Sequence, residues 1–207
     1  MLQTYLDRLP LIAILRGVTP GEILAIGRAL ADAGFAIIEV PLNSPSAIDS
    51  IGLLAREFGD KVLVGAGTVT TLAQVSEIAE AGGRIIVMPH ADVAVIRAAK
   101  AAGLGCTPGV ATPTEGFAAL AAGADALKLF PAEMLPPPVL KAMKSVFPKD
   151  TRFVPVGGIT PDTMAPYHAA GAAGFGLGSA LYRPGMDAAT VAANAEAFVA
   201  AWNKLKS

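Results

Sequence analysis

The chain has one cysteine, two histidines, few aromatic residues and a formal net charge of only −1. Each shortage removes a class of function. The single thiol, Cys106, forbids an intrachain disulfide and fits a reducing compartment. His90 and His168 make no metal-ligand spacing with Cys106, and the acidic residues are scattered, so no metal site and no cofactor are expected. A near-zero charge without any basic block argues against nucleic acid or an anionic membrane surface as the main partner. Charges, Pro or Gly interrupt every apolar run before it is long enough to cross a bilayer. Met1 to Arg8 lacks the basic start and apolar core of a signal peptide, so a cytoplasmic protein is expected.

What is abundant is apolar: 53% of the 207 residues are hydrophobic, enough for a sizeable core. Short runs rich in Ile, Val and Leu recur at 11–15, 35–40, 62–65, 84–88, 103–107, 126–130, 152–156 and 174–177, with Ala-rich helical segments between them. Continuous apolar runs alternating with helices predict parallel strands covered by helices. Ala33-Gly34, Ala81-Gly82, Ala102-Gly103, Ala122-Gly123 and Ala170-Gly171 each precede such a run. Glycine there suits the left-handed residue that closes a helix. This repeated unit predicts an α/β protein, a single (β/α)8 barrel domain over 1–207. A short N-terminal helix over 2–9 caps its floor. Pro136-Pro137-Pro138 is expected to break the chain before a helix over 139–147, and the last helix should span 187–206. A doubly wound sheet is the alternative, weakened because no strand–GxGxxG–helix fingerprint opens the chain.

The residue with the most chemical content is Lys128, inside Ala126-Leu127-Lys128-Leu129-Phe130-Pro131. A strand alternates its faces, so Lys128 points away from Leu127 and Leu129. Burial disfavours the ammonium, and a neutral amine attacks carbonyls. The plain alternative is a snorkelling side chain with its head in water. In such barrels the active site lies at the C-terminal strand ends. Polar residues there are Arg16, Glu39, Asn43, Thr68, His90, Thr107, Lys128, Gly157-Gly158 and Gly178-Ser179.

Glu39 in Ile37-Ile38-Glu39-Val40-Pro41 is a buried acid–base candidate, or else a salt-bridge partner of Arg16 or Lys128. Arg16 suits a carboxylate or phosphate, or pairs internally with Glu39. Thr68 can bind a carboxylate oxygen or cap the next helix. The glycine-rich turns at Gly157-Gly158 and Gly178-Ser179 follow the seventh and eighth strands, the usual phosphate place of phosphate-binding barrels. A helix start after each would add positive potential. The plain alternative for both is tight turns only. Cys106, Met88 and Phe130 read as packing, and His168 as surface.

Together these segments resemble the bacterial KDPG/KHG aldolase family, class I aldolases of 2-keto-3-deoxy-6-phospho sugar acids. The similarity runs from Leu9 to the C-terminus through IAILRG (12–17), IEVPL (38–42), VGAGTV (64–69), ALKLFP (126–131), PVGGI (155–159) and GLGS (176–179). The resemblance implies Lys128 as the Schiff-base lysine and Glu39 as general acid/base. It further implies Thr68 at a pyruvate carboxylate, Arg16 at a substrate anion, and Gly157, Gly158, Gly178 and Ser179 around a phosphate. It implies a homotrimer acting on a phosphorylated keto-deoxy sugar acid. Two positions depart from the phosphogluconate-type pattern: Asn43 stands where those relatives tend to carry Arg, and Val156 where they tend to carry Thr. Both match the branch of the family that handles the galactonate epimer. A phosphate-barrel isomerase or epimerase, which needs no lysine nucleophile, is the more distant alternative, and a non-enzymatic sugar-phosphate binding module a third.

Overall fold

The computed structural model describes residues 1–206. In chain order, α1 (Leu2–Arg8) leads into β1 (Leu11–Ile14) and α2 (Ile23–Asp32), then β2 (Ile37–Pro41), α3 (Ala47–Phe58), β3 (Leu63–Gly67) and α4 (Leu72–Glu80). β4 (Ile85–Val87), α5 (Val93–Ala101), β5 (Gly105–Thr107), β6 (Gly109–Val110) and α6 (Pro113–Ala121) follow. The chain ends with β7 (Leu127–Leu129), α7 (Pro137–Lys144), β8 (Phe153–Pro155), α8 (Met164–Ala169), β9 (Phe175–Leu177) and α9 (Ala188–Lys206). The strands form a six-stranded sheet, order β5-β4-β3-β2-β1-β9, and a three-stranded sheet, order β6-β7-β8, and all their pairings are parallel.

Each of the eight apolar runs overlaps a strand. The two-residue β6 is the addition, and its cause is Pro108. Proline has no N–H to give a ladder. β5 pairs with β4 before Pro108, and β6 pairs with β7 after it, while the Pro108 carbonyl accepts from Lys128 N at 2.9 Å. A parallel bridge between Val156 and Gly176 links the end of β8 to β9. The repeated Ala-Gly pairs close helices as expected: Gly34, Gly82, Gly103, Gly123 and Gly171 have φ between 74° and 101°, each just after the alanine that ends a helix. The helix expected at 139–147 begins two residues earlier. Pro137 and Pro138 sit in its first turn, where the missing N–H has no intrahelical acceptor to lose.

Strand alternation separates two apolar clusters. Leu11, Ala13, Ile38, Val40, Val64, Ile86, Cys106, Leu127, Leu129 and Leu177 pack with the helices. Ile12, Ile14, Ile37, Leu63, Ile85, Val87, Ala126, Val154 and Val156 form a second, inner cluster with Leu2, Tyr5 and Leu6 of α1. The short N-terminal helix thus seals the inner cluster. Two charged residues share that inner alternation: Glu39, two residues past Ile37, and Lys128, two past Ala126. No helix among the described residues is long and apolar enough to cross a membrane.

Candidate active site

Glu39 is 2% exposed and Lys128 6%, so neither snorkels to water. The parallel register sets Glu39 between Ile14 and Gly65, and Lys128 between Gly109 and Val154. Room for the carboxylate comes from Gly67: a Cβ added there would fall on the Glu39 carboxylate oxygens. The Lys128 amine lies 4.4 Å from the centre of the Phe130 ring.

The electrostatics follow from burial. Desolvation pushes the Glu39 carboxyl up to about 7, against the opposing pull of Lys128 and Arg16. Desolvation likewise lowers Lys128, with Glu39 opposing and Arg16 assisting. The two groups feel each other, yet they do not form the charge-satisfying pair that was the plain alternative. No carboxylate lies within 4.0 Å of the Lys128 amine or the Arg16 guanidinium among the described residues. Glu39 Oε2 is buried without a hydrogen-bond donor. A buried acceptor left unpaired is destabilising, so Glu39 does not serve folding through this oxygen and leaves it open to a ligand.

Arg16 donates instead to Asn43 Oδ1 at 2.6 Å. Its loop is tied down further by Gly17 N to Ser44 Oγ at 2.9 Å. A cavity of about 410 Å³ opens beside these residues. Its lining includes Arg16, Phe130 and the two predicted turns, Gly157-Gly158 and Gly178-Ser179. Gly157 and Gly158 have φ of 113° and 63°, conformations that favour glycine. The N–H groups of Gly158 and Ser179 have no protein acceptor among the described residues. They are free to receive an anion. The helix start expected after the first turn is present: Thr160 caps a 3₁₀ turn, Pro161–Thr163, that runs directly into α8. After the second turn it is a correction, because eight residues of turn and loop separate Ser179 from α9. At the second turn free backbone N–H groups, not a helix terminus, supply the positive potential.

Thr68 follows β3 with φ 59°, left-handed for a β-branched residue, and does not line the cavity. It does not cap α4; Thr71 does, in a capping box with Gln74. Thr107 is 1% exposed, and its hydroxyl has no partner. Its register partner Val87 belongs to the inner cluster, so Thr107 faces the same interior. His90 is exposed after β4. Cys106 is buried in the outer core, where desolvation and Asp125 push its thiol up to about 12. His168 is not the surface residue expected: it is half-buried, edge-on to Trp202 at 5.2 Å between ring centres.

The sequence did not single out Glu133, Tyr182 or Arg183, which also line the cavity. Tyr182 is 2% exposed and donates to Glu22 Oε1 at 3.1 Å, joining the loop after β1 to the loop after β9. The one signal for these residues is their place just after predicted strand ends.

The family model for KDPG and KHG aldolase matches residues 2–194. The chain is 49% identical over 197 residues to the 2-dehydro-3-deoxy-6-phosphogalactonate aldolase of Escherichia coli K12, covering 95% of this chain and 96% of that protein. A solved structure described as native KDPGal superposes with a TM-score of 0.95 at 48% identity, covering 96% of this chain and 97% of the other. A KDPG aldolase from Legionella pneumophila, with pyruvate captured as a covalent carbinolamine intermediate, matches with a TM-score of 0.82 at 29% identity, over 98% of this chain and 97% of that one.

Proposed function

The chain belongs to the KDPG and KHG aldolase family and is a carbon–carbon lyase, and we propose that it cleaves 2-dehydro-3-deoxy-6-phosphogalactonate to pyruvate and D-glyceraldehyde 3-phosphate through a Schiff base on Lys128. The observation that carries this reading is the buried couple of Lys128 and Glu39, without an ion pair, against Phe130 and Ile14, which line a cavity with free backbone N–H groups.

Neutral Lys128 attacks the C2 ketone, and water leaves to give an iminium. Glu39 takes the proton of the C4 hydroxyl. The C3–C4 bond breaks, its electrons pass into the iminium, and glyceraldehyde 3-phosphate departs from a pyruvate enamine. Glu39 returns its proton to C3, and hydrolysis frees pyruvate and the amine. A carboxyl titrating near neutrality handles protons in both directions. Gly157, Gly158, Gly178 and Ser179 hold the phosphate. Arg16 and Thr68 hold substrate anions, Thr68 the pyruvate carboxylate. Phosphate binding at the far end aligns C4 with Glu39.

The galactonate epimer is favoured over the gluconate epimer by Asn43 and Val156. The Asn43 carbonyl accepts from Arg16, whereas an arginine at 43 would set two like charges there. Measuring pyruvate release from the two epimers side by side tests this: the galactonate epimer is expected to give the higher kcat/KM, and a preference for the gluconate epimer overturns the assignment.

The same reading makes the molecule one domain closed as a (β/α)8 barrel. It is supported by the Pro108–Lys128 hydrogen bond at one junction of the two sheets and the Val156–Gly176 bridge at the other. We further infer a cytoplasmic homotrimer. The exposed Phe117 and Val146, 45% and 58% accessible, supply apolar surface that such an assembly can cover.

A further inference from the structure

Glu133 stands where an acid is least expected. It belongs to the 3₁₀ turn Ala132–Met134, a few residues beyond the strand that carries Lys128. Its side chain ends against the turn that carries Gly157 and Gly158. A Cβ added to Gly157 would fall on Glu133 Oε2 and stand 2.9 Å from its Cδ, and one added to Gly158 would stand 2.8 Å from its Cγ. Glu133 lines the same cavity as Arg16, Ser179 and Arg183. No hydrogen bond or ion pair to another described residue engages its carboxylate.

A carboxylate accepts protons in hydrogen bonds, and a phosphate dianion has none to offer. Glu133 therefore cannot be a ligand of the phosphate bound at the adjacent N–H groups. It bridges the stretch between the Lys128 strand and the glycine turn. In a substrate anchored to both, two groups in that stretch have a proton to give: the C4 hydroxyl, assigned above to Glu39, and the hydroxyl on the carbon next to the phosphate-bearing carbon. Resting on the aldolase reading above, we propose that Glu133 is a specificity residue that accepts a hydrogen bond from the second of these hydroxyls. It thereby selects phosphorylated aldehydes hydroxylated next to the aldehyde carbon. A hydrogen bond to a charged acceptor corresponds to discrimination of about 10- to 100-fold.

The test runs the reaction in the condensation direction, with pyruvate and either D-glyceraldehyde 3-phosphate or 3-oxopropyl phosphate, which lacks the hydroxyl. The native enzyme should favour the hydroxylated aldehyde in kcat/KM by about 10- to 100-fold. Glu133→Ala should bring that ratio close to one, and Glu133→Gln, which keeps the size and a weaker acceptor, should give an intermediate value. A merely structural role against Gly157 and Gly158 would lower both rates together and leave the ratio intact. An unchanged ratio in Glu133→Ala, or in Glu133→Gln if the alanine variant does not fold, overturns the proposal, as does a native ratio near one. Borohydride trapping of pyruvate is read in parallel. A native protein that forms no adduct defeats the aldolase reading itself; an adduct with an unchanged ratio defeats only the role of Glu133.

Discussion

In the proposed mechanism the acid–base chemistry rests on Glu39, whose carboxylate occupies the space left by Gly67. Burial raises the Glu39 carboxyl to about 7. Below that pH the group keeps its proton and cannot take another from the C4 hydroxyl, so kcat for cleavage should fall as pH drops from 8 to 5. Glu39→Gln should lower turnover by about 10²- to 10⁴-fold and remove that limb of the pH–rate profile. The limb surviving in Glu39→Gln would show that another group titrates. The same shift has a sign in stability. A raised carboxyl pKa favours the fold below the unfolded value and loses that contribution as pH rises through about 7. Gly67 is not in the left-handed region, so its backbone admits alanine, and the three atoms nearest to an added Cβ all belong to the Glu39 carboxylate. Gly67→Ala should therefore displace Glu39 and cut kcat/KM by about 100-fold, the scale of an ångström misplacement, with far-UV circular dichroism unchanged. Full activity in Gly67→Ala would mean that the carboxylate position does not matter.

The helices hold the strand ends in place without entering the chemistry. α6 starts with a capping box: Thr112 Oγ1 accepts from Glu115 N, and the Glu115 carboxylate accepts from Thr112 N at 2.8 Å. Thr112→Ala should cost about 1 kcal/mol in denaturant unfolding while leaving kcat unaltered. A large loss of turnover would place α6 in the catalytic machinery. At this scale much was legible in the sequence. Apolar runs placed the strands, and Ala-Gly pairs placed the helix ends, because both signals are local and repeat with the unit. The alternation in Leu127-Lys128-Leu129 set Lys128 on the face opposite its two leucines, and packing shows that face to be the inner one. Less legible were features that depend on neighbours distant in sequence. The split of β5 from β6 follows from which strands flank Pro108. The Arg16–Asn43 bond joins loops 27 residues apart. Glu133 and Tyr182 lie in loops whose direction no periodicity records.

Across the whole molecule, the two faces of the strands divide the labour. The outer face packs helices with aliphatic side chains, and the inner face closes one end with Leu2, Tyr5 and Leu6 of α1. Glu39 and Lys128 lie farther along the same inner face, toward the C-terminal strand ends, where the glycine turns leave N–H groups free. The fold thus holds a desolvated amine near an anion cavity and withholds from it the carboxylate that would keep it charged. The most direct measurement is borohydride reduction in the presence of pyruvate, followed by peptide mass mapping. The account predicts a pyruvate adduct on Lys128 alone, absent in Lys128→Met together with turnover. An adduct on another lysine, or cleavage activity that survives Lys128→Met, would contradict it.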